Sequence, residues 1–225
     1  MSERPGSVLA ARPLHFLIVA DCSGSMASDG KMRALNNAIR ETLPHLVDIA
    51  AQNPHARVLV RSIAFSDGAR WHIETPTPVA ELRWEDLETG GFTDLGAALD
   101  LLITQLRTPP MEERSLPPAV LLISDGMPTD DYKPALGRFL DEPMGARAVR
   151  MAVGIGRDAD LEVLQRFTGS SEVGPLTASN PEQLVRMIRW ASTHASRVAS
   201  NLAPVVPRFG PTAAEGLTTP SELIW

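Results

Sequence analysis

A single cysteine, Cys22, is the whole thiol content of these 225 residues. That excludes an internal disulfide, a zinc ribbon and any cysteine cluster. The shortage fits a reducing compartment, and the expected location is cytoplasmic. Long apolar runs are also missing. None approaches the roughly 18–20 residues a membrane span needs, so no membrane partner is expected. The run Leu14–Ala20 follows Arg4 and Arg12 but is too short for a signal-peptide core, and Asp21 ends it. Basic excess is lacking too. The formal net charge of −6 argues against a nucleic-acid partner. The five histidines (15, 45, 55, 72 and 194) show no metal-ligand spacing. There is no Walker loop, and Gly154-Ile155-Gly156 lacks the third glycine of a dinucleotide fingerprint.

What remains has ordinary globular proportions, 44% apolar and 21% charged, enough for one α/β domain and a tail. Four short apolar runs read as strands: Leu14–Ala20, Val58–Phe65, Ala119–Ser124 and Ala148–Ile155. Being apolar on both faces, they suit a sheet covered on both sides. Asp67-Gly68 marks a hairpin, so a strand over about Ala69 to Glu74 should run antiparallel at an edge. Helical spacing connects Met32, Leu35, Ile39, Leu43, Leu46 and Ala50, with Pro44 expected to interrupt and kink the helix. Further helices are expected over Leu95–Leu106, Asp160–Phe167 and Pro181 to about Ser200, the last capped by Asn180. Thr75 to Thr93 reads as a long irregular loop. The expected fold is α/β and Rossmann-like: a doubly wound, mostly parallel six-stranded sheet with one short antiparallel edge strand and helices on both faces. The expected divisions are an N-terminal extension over 1–12, the domain over 13–200 and a Pro-rich tail over 201–225. The tail, extended or disordered, ends in the apolar tip Leu223-Ile224-Trp225.

Three loops carry the chemistry. Asp21-Cys22-Ser23-Gly24-Ser25 follows the first strand, Ser124-Asp125-Gly126 follows the fourth, and Gly90-Gly91-Phe92-Thr93-Asp94 opens a helix. In a sheet of order 3-2-1-4-5-6, strands one and four flank the crevice where strand order reverses and ligands bind. Asp21 and Asp125 offer carboxylates; Ser23, Ser25 and Thr93 offer hydroxyls. Such an oxygen set suits Mg²⁺, with Mn²⁺ and Ca²⁺ as alternatives. A coordination position left open would accept a carboxylate from a protein partner. Singly, each residue also fits a bland role: Asp21 a helix cap, Ser23 and Ser25 turn residues, Thr93 an N-cap, Asp125 the start of an Asp-Gly turn. Asp94 reads as a first-turn helix acid or, alternatively, as a partner that supports the ligands from behind; Asp29, Asp130 and Asp131 read as solvated loop acids. Cys22, between two ligand positions, should point into the core as an inert thiol.

Asp21-x-Ser23-x-Ser25, then Thr93, then Asp125, resembles the metal-ion-dependent adhesion site of von Willebrand factor A domains, over roughly Pro13 to Ser196. Within that family three stretches are similar to bacterial TerY-type (tellurite-resistance) domains. They are Asp21 to Met26 with Lys31, the Gly90-Gly91-x-Thr93 loop, and Leu121 to Asp130. The resemblance implies a scaffold or adaptor in a stress or phosphorylation circuit, with a kinase and a PP2C-type phosphatase as partners. Some relatives add a cysteine-rich zinc segment at the C-terminus; here there is none. The expected role is a protein-binding module, not an enzyme. One alternative is an accessory subunit of a MoxR- or chelatase-like ATPase. Another is a metal-dependent phosphohydrolase, against which Ser23 stands where an Asp-x-Asp motif needs its second acid.

Overall fold

The computed structural model describes residues 11–53, 55–157, 159–169 and 174–199. Six strands form one sheet: β1 (Arg12–Asp21), β2 (Ala56–Ser66), β3 (Gly68–Pro78), β4 (Ala119–Ser124), β5 (Val149–Ile155) and β6 (Leu176–Ala178). Their order is β3-β2-β1-β4-β5-β6, with only the β2–β3 pair antiparallel. The helices are α1 (Lys31–Ala51), α2 (Leu95–Leu106), α3 (Tyr132–Asp141), α4 (Pro143–Ala146), α5 (Leu161–Thr168) and α6 (Pro181–Ala199). A short 3₁₀ stretch over Gly24–Gly30 leads into α1.

Side-chain alternation along the buried strands feeds two cores. Leu14, Phe16, Ile18 and Ala20 of β1 face α1 and α6, where they meet Leu35, Ile39, Leu184 and Ile188. Leu17 and Val19 point the other way, toward Leu99 and Leu102 of α2, Phe139 of α3 and Phe167 of α5. Burial on both faces is why the parallel strands read as unbroken apolar runs. The parallel strands all end at one rim. The helices α1 and α6 begin at that rim, after β1 and β6, and run back along the sheet.

Strand order, helix layers and the Asp67-Gly68 turn agree with expectation; Ser66 pairs directly with Gly68. The edge strand does not. Instead of stopping near Glu74 it continues through Thr75, Pro76 and Thr77 to Pro78, so it is long. Proline is tolerated there because an edge strand needs only one side of its backbone for the ladder. Register shifts near Val60 and Ser62 absorb the irregularity. Pro44 does not interrupt α1, which runs unbroken to Ala51. Asn180 accepts from the Gln183 N–H at 2.9 Å, the expected cap of α6. Arg12 already belongs to β1. The rest of the expected extension apart from Ala11, and the whole Pro-rich tail, lie outside the described residues.

Candidate metal centre

The loops after β1 and β4 meet because those strands are neighbours. Ala20 pairs with Ile123, which sets Asp21 beside Ser124. The Ser124 hydroxyl donates to Asp21 Oδ2 at 2.6 Å, and the Ser23 N–H donates to Asp21 Oδ1 at 2.8 Å. Ser25 Oγ donates to Asp125 Oδ1 at 2.7 Å. That uses its proton, so the 2.9 Å contact between the two serines has Ser23 Oγ as donor. Four of the five candidate ligands are thus tied into one hydrogen-bonded chain.

The third loop joins through its backbone. The Gly24 N–H donates to the Gly91 carbonyl at 3.0 Å, and the Gly90 N–H to the Cys22 carbonyl at 2.8 Å. Thr93, buried, is clamped to the loop after β4. Its N–H donates to Thr129 Oγ1 at 2.9 Å, and the Thr129 N–H returns a bond to the Thr93 carbonyl at 2.9 Å. Gly91 has φ +80°, and a Cβ there would lie 2.5 Å from the Asp67 carboxylate, so the position admits only glycine. Asp67 Oδ1 uses that approach to accept the Phe92 N–H at 2.9 Å.

Asp94 takes the second of its two expected roles, behind the ligands, and Asp130 takes one not read from sequence. Asp94 does not serve the α2 N-terminus. Its carboxylate accepts from the Gly68 N–H at 2.8 Å and from Thr129 Oγ1 at 2.9 Å, which ties the β2–β3 turn to the centre. The α2 N-terminus instead takes Asp130, half-buried, which accepts from the Gly96 and Ala97 N–H groups at 3.0 and 3.1 Å. A carboxylate at a helix start is favoured by the exposed N–H groups and the dipole. Asp29 and Asp131 are exposed, as expected. Cys22 is buried, and burial together with Asp21 pushes its thiol up to about 12, consistent with an inert group.

Electrostatics test the fit to a cation. Asp21 and Asp125 are both buried. The Lys31 ammonium donates to Asp125 Oδ2 at 2.7 Å and pairs with it. Among the described residues no ion pair reaches Asp21. Burial drives its carboxyl above the usual range, against the hydrogen bonds from Ser124 and Ser23, and Asp125 adds to the rise. Lys31 pairs with Asp125 alone, so an ionised Asp21 has no counter-charge among the described residues. A divalent ion held by the carboxylates of Asp21 and Asp125 and the hydroxyls of Ser23, Ser25 and Thr93 would supply one. No group of three or more His, Cys, Asp or Glu side chains suited to a metal occurs among the described residues, so hydroxyls must supply the balance.

Lys31 and Ser124 stand in the motif stretches, but sequence reasoning assigned neither a role in the site. Ser124 stands next to Asp125, and the β1–β4 register would have placed it beside Asp21. Lys31 lies against Gly156, which has φ +84°; a Cβ there would meet Lys31 Cε at 3.3 Å. In the same segment Gly154 is needed for packing, since a Cβ there would lie 2.8 Å from Ala159 Cβ.

The model of the von Willebrand factor type A domain matches residues 16–189. Among solved structures, a von Willebrand factor type A protein from Catenulispora acidiphila is 20% identical, with a TM-score of 0.63 over 82% of this chain and 43% of that one. The ArnB paralog VWA2 from Sulfolobus acidocaldarius is 15% identical, with a TM-score of 0.58 over 80% and 45%. Proximal thread matrix protein 1 from the mussel byssus, solved with a zinc-occupied MIDAS motif, is 19% identical, with a TM-score of 0.60 over 83% and 46%. The chain spans less than half the length of each of these. No curated protein sequence matches it significantly. No helix among the described residues is long and apolar enough to cross a membrane. The matched segment runs from β1 into α6 and takes in all three loops of the centre: the chain belongs to the von Willebrand factor type A domain family.

Proposed function

We propose that this chain is a metal-dependent protein-binding module. Asp21, Ser23, Ser25, Thr93 and Asp125 hold one divalent ion, Mg²⁺ in the first place, with Mn²⁺ and Ca²⁺ as alternatives. When bound, the ion supplies an electrophilic position for a carboxylate of a protein partner. The observation that carries the reading is the uncompensated carboxylate: Asp21 and Asp125 are both buried, and the one ammonium at the site, Lys31, pairs with Asp125. The zinc in the mussel protein's corresponding motif supports it.

The chain's own residues position and neutralise. Ser124 and the Ser23 N–H fix the Asp21 carboxylate. Lys31 and Ser25 fix that of Asp125. Thr129 holds the Thr93 backbone, which sets where the Thr93 hydroxyl stands. The three loops contain no histidine to act as general base, which favours binding over catalysis. The resemblance of Asp21–Met26, Lys31 and Leu121–Asp130 to TerY-type domains supports a finer reading. It is a cytoplasmic adaptor in a tellurite-type stress circuit with a kinase and a PP2C-type phosphatase.

The test is retention from a host extract on immobilised protein, with Mg²⁺, with EDTA, and with Thr93→Ala in Mg²⁺. Thr93→Ala should keep the fold and lose at least about tenfold in partner affinity, as removal of a central contact does. Wild-type affinity in the variant at saturating Mg²⁺ would count against the site. Retained kinase or phosphatase supports the finer reading, and a retained ATPase replaces it. Metal-dependent phosphate release from an aryl phosphate, lost in Asp21→Asn, would sink the module reading.

A further inference from the structure

Three large apolar side chains are exposed among the described residues: Phe92 at 67%, Met127 at 66% and Leu161 at 46%. Single exposed apolar residues are ordinary. Two of these three, however, flank candidate ligands. Phe92 precedes Thr93, and Met127 follows Asp125 by two residues. Their loops are stitched together by the paired Thr93–Thr129 bonds, so both side chains stand on the rim of one centre. Neither belongs to or packs on the two core clusters. The backbone beneath Phe92 is nonetheless fixed, by Asp67 at its N–H and by Gly91 before it. A ring held on a fixed backbone but left in water is suited to an external contact.

We propose that Phe92 and Met127 form an apolar shelf beside the metal position. The segment bound there, from another protein, carries a bulky apolar residue within two positions of the acid that reaches the metal. The inference rests on the reading above and adds the partner's local sequence chemistry. Charge narrows the partner further. Asp29, Asp67 and Asp131 are exposed on loops around the same rim and would repel a second acid. The segment therefore carries one acid, with its other charges basic.

The test selects displayed random heptapeptides with one fixed Glu on the full chain in Mg²⁺, eluted with EDTA. A fixed-Gln library is the control. Leu, Ile, Phe or Trp should be enriched within two positions of the Glu. Replacing that residue by Ala in a selected peptide should weaken binding about tenfold. Phe92→Ser and Met127→Ser should do the same while calorimetric Mg²⁺ affinity stays at the wild-type value. Glu peptides held in Mg²⁺ without any apolar preference would overturn the shelf and leave the module reading standing. Failure of any Glu peptide to bind in a Mg²⁺-dependent way would overturn both. A synthetic peptide of residues 216–225, which places Glu222 before Leu223-Ile224-Trp225, is run as competitor. If it outcompetes every selected peptide, the occupant is this chain's own tail and the partner assignment falls.

Discussion

Asp125 has two oxygens and two different neighbours, the Ser25 hydroxyl on one and the Lys31 ammonium on the other. Lys31 stands in for part of the charge a metal would bring, so it stabilises the metal-free protein while competing with the ion. Lys31→Met leaves Asp125 buried without its partner. The metal-free protein should lose about 3 kcal/mol, the scale of a broken buried pair. The gain in melting temperature on adding Mg²⁺ should at the same time exceed that of the wild type. Melting curves of both proteins with EDTA and with Mg²⁺ check this, and an unchanged metal-free midpoint would show that the pair contributes nothing. Legibility divides along the same line. Asp21, Ser23, Ser25, Thr93 and Asp125 could be picked from sequence as candidates because they sit in three short loops at strand ends or a helix start and together resemble the metal-ion-dependent adhesion site. Lys31, Thr129 and Asp130 gain their roles only from residues far along the chain. Nothing local tells a solvated Asp130 from one that caps a helix 35 residues earlier.

Among the elements, β1 is central, and one of its residues is out of character. His15 is buried with both ring nitrogens lacking a hydrogen-bond partner, on the sheet face it shares with Arg61. Burial, reinforced by Arg61 and Arg57, lowers its pKa to about 4. Its folded value lies below its unfolded value of about 6.5. Between those values the unfolded chain binds more protons, so stability is lost as pH falls through that window. The loss approaches roughly 3 kcal/mol below pH 4. His15→Leu removes the titration, so its advantage in melting temperature over the wild type should widen from pH 7 to pH 4. A constant difference would contradict the assignment. Element legibility followed length and contrast. The four apolar runs gave β1, β2, β4 and β5 to within two residues at either end. The strand β6 has three residues, too few to show a period. Pro134 and Gly137 lie inside α3 and mask a helix whose Tyr132, Ala135, Leu136 and Phe139 form a buried face. In β3 the edge position is legible, but Thr75-Pro76-Thr77-Pro78 reads as loop because proline is a strand breaker everywhere except at such an edge.

For the whole molecule, the site lies at one rim of the sheet and draws on loops after β1 and β4 and before α2, so metal binding couples to global unfolding. An ion at about 100 times its dissociation constant adds about 2.7 kcal/mol to stability. For a domain of this size that should raise the melting temperature by about 5–10 °C. Scans with Mg²⁺, Mn²⁺, Ca²⁺ and Zn²⁺ against EDTA would rank the ions, and no shift with any of them would rule out a site of this strength. The strand order has a mechanical consequence as well. Asp21 ends β1 at the loop rim, and Arg12 begins it at the opposite pole. A ligand pulling at the centre against an anchorage at Arg12 would load β1 along its own axis. Its ladders to β2 and β4 would then be sheared together instead of peeled one bond at a time, the arrangement in which a sheet resists tension best.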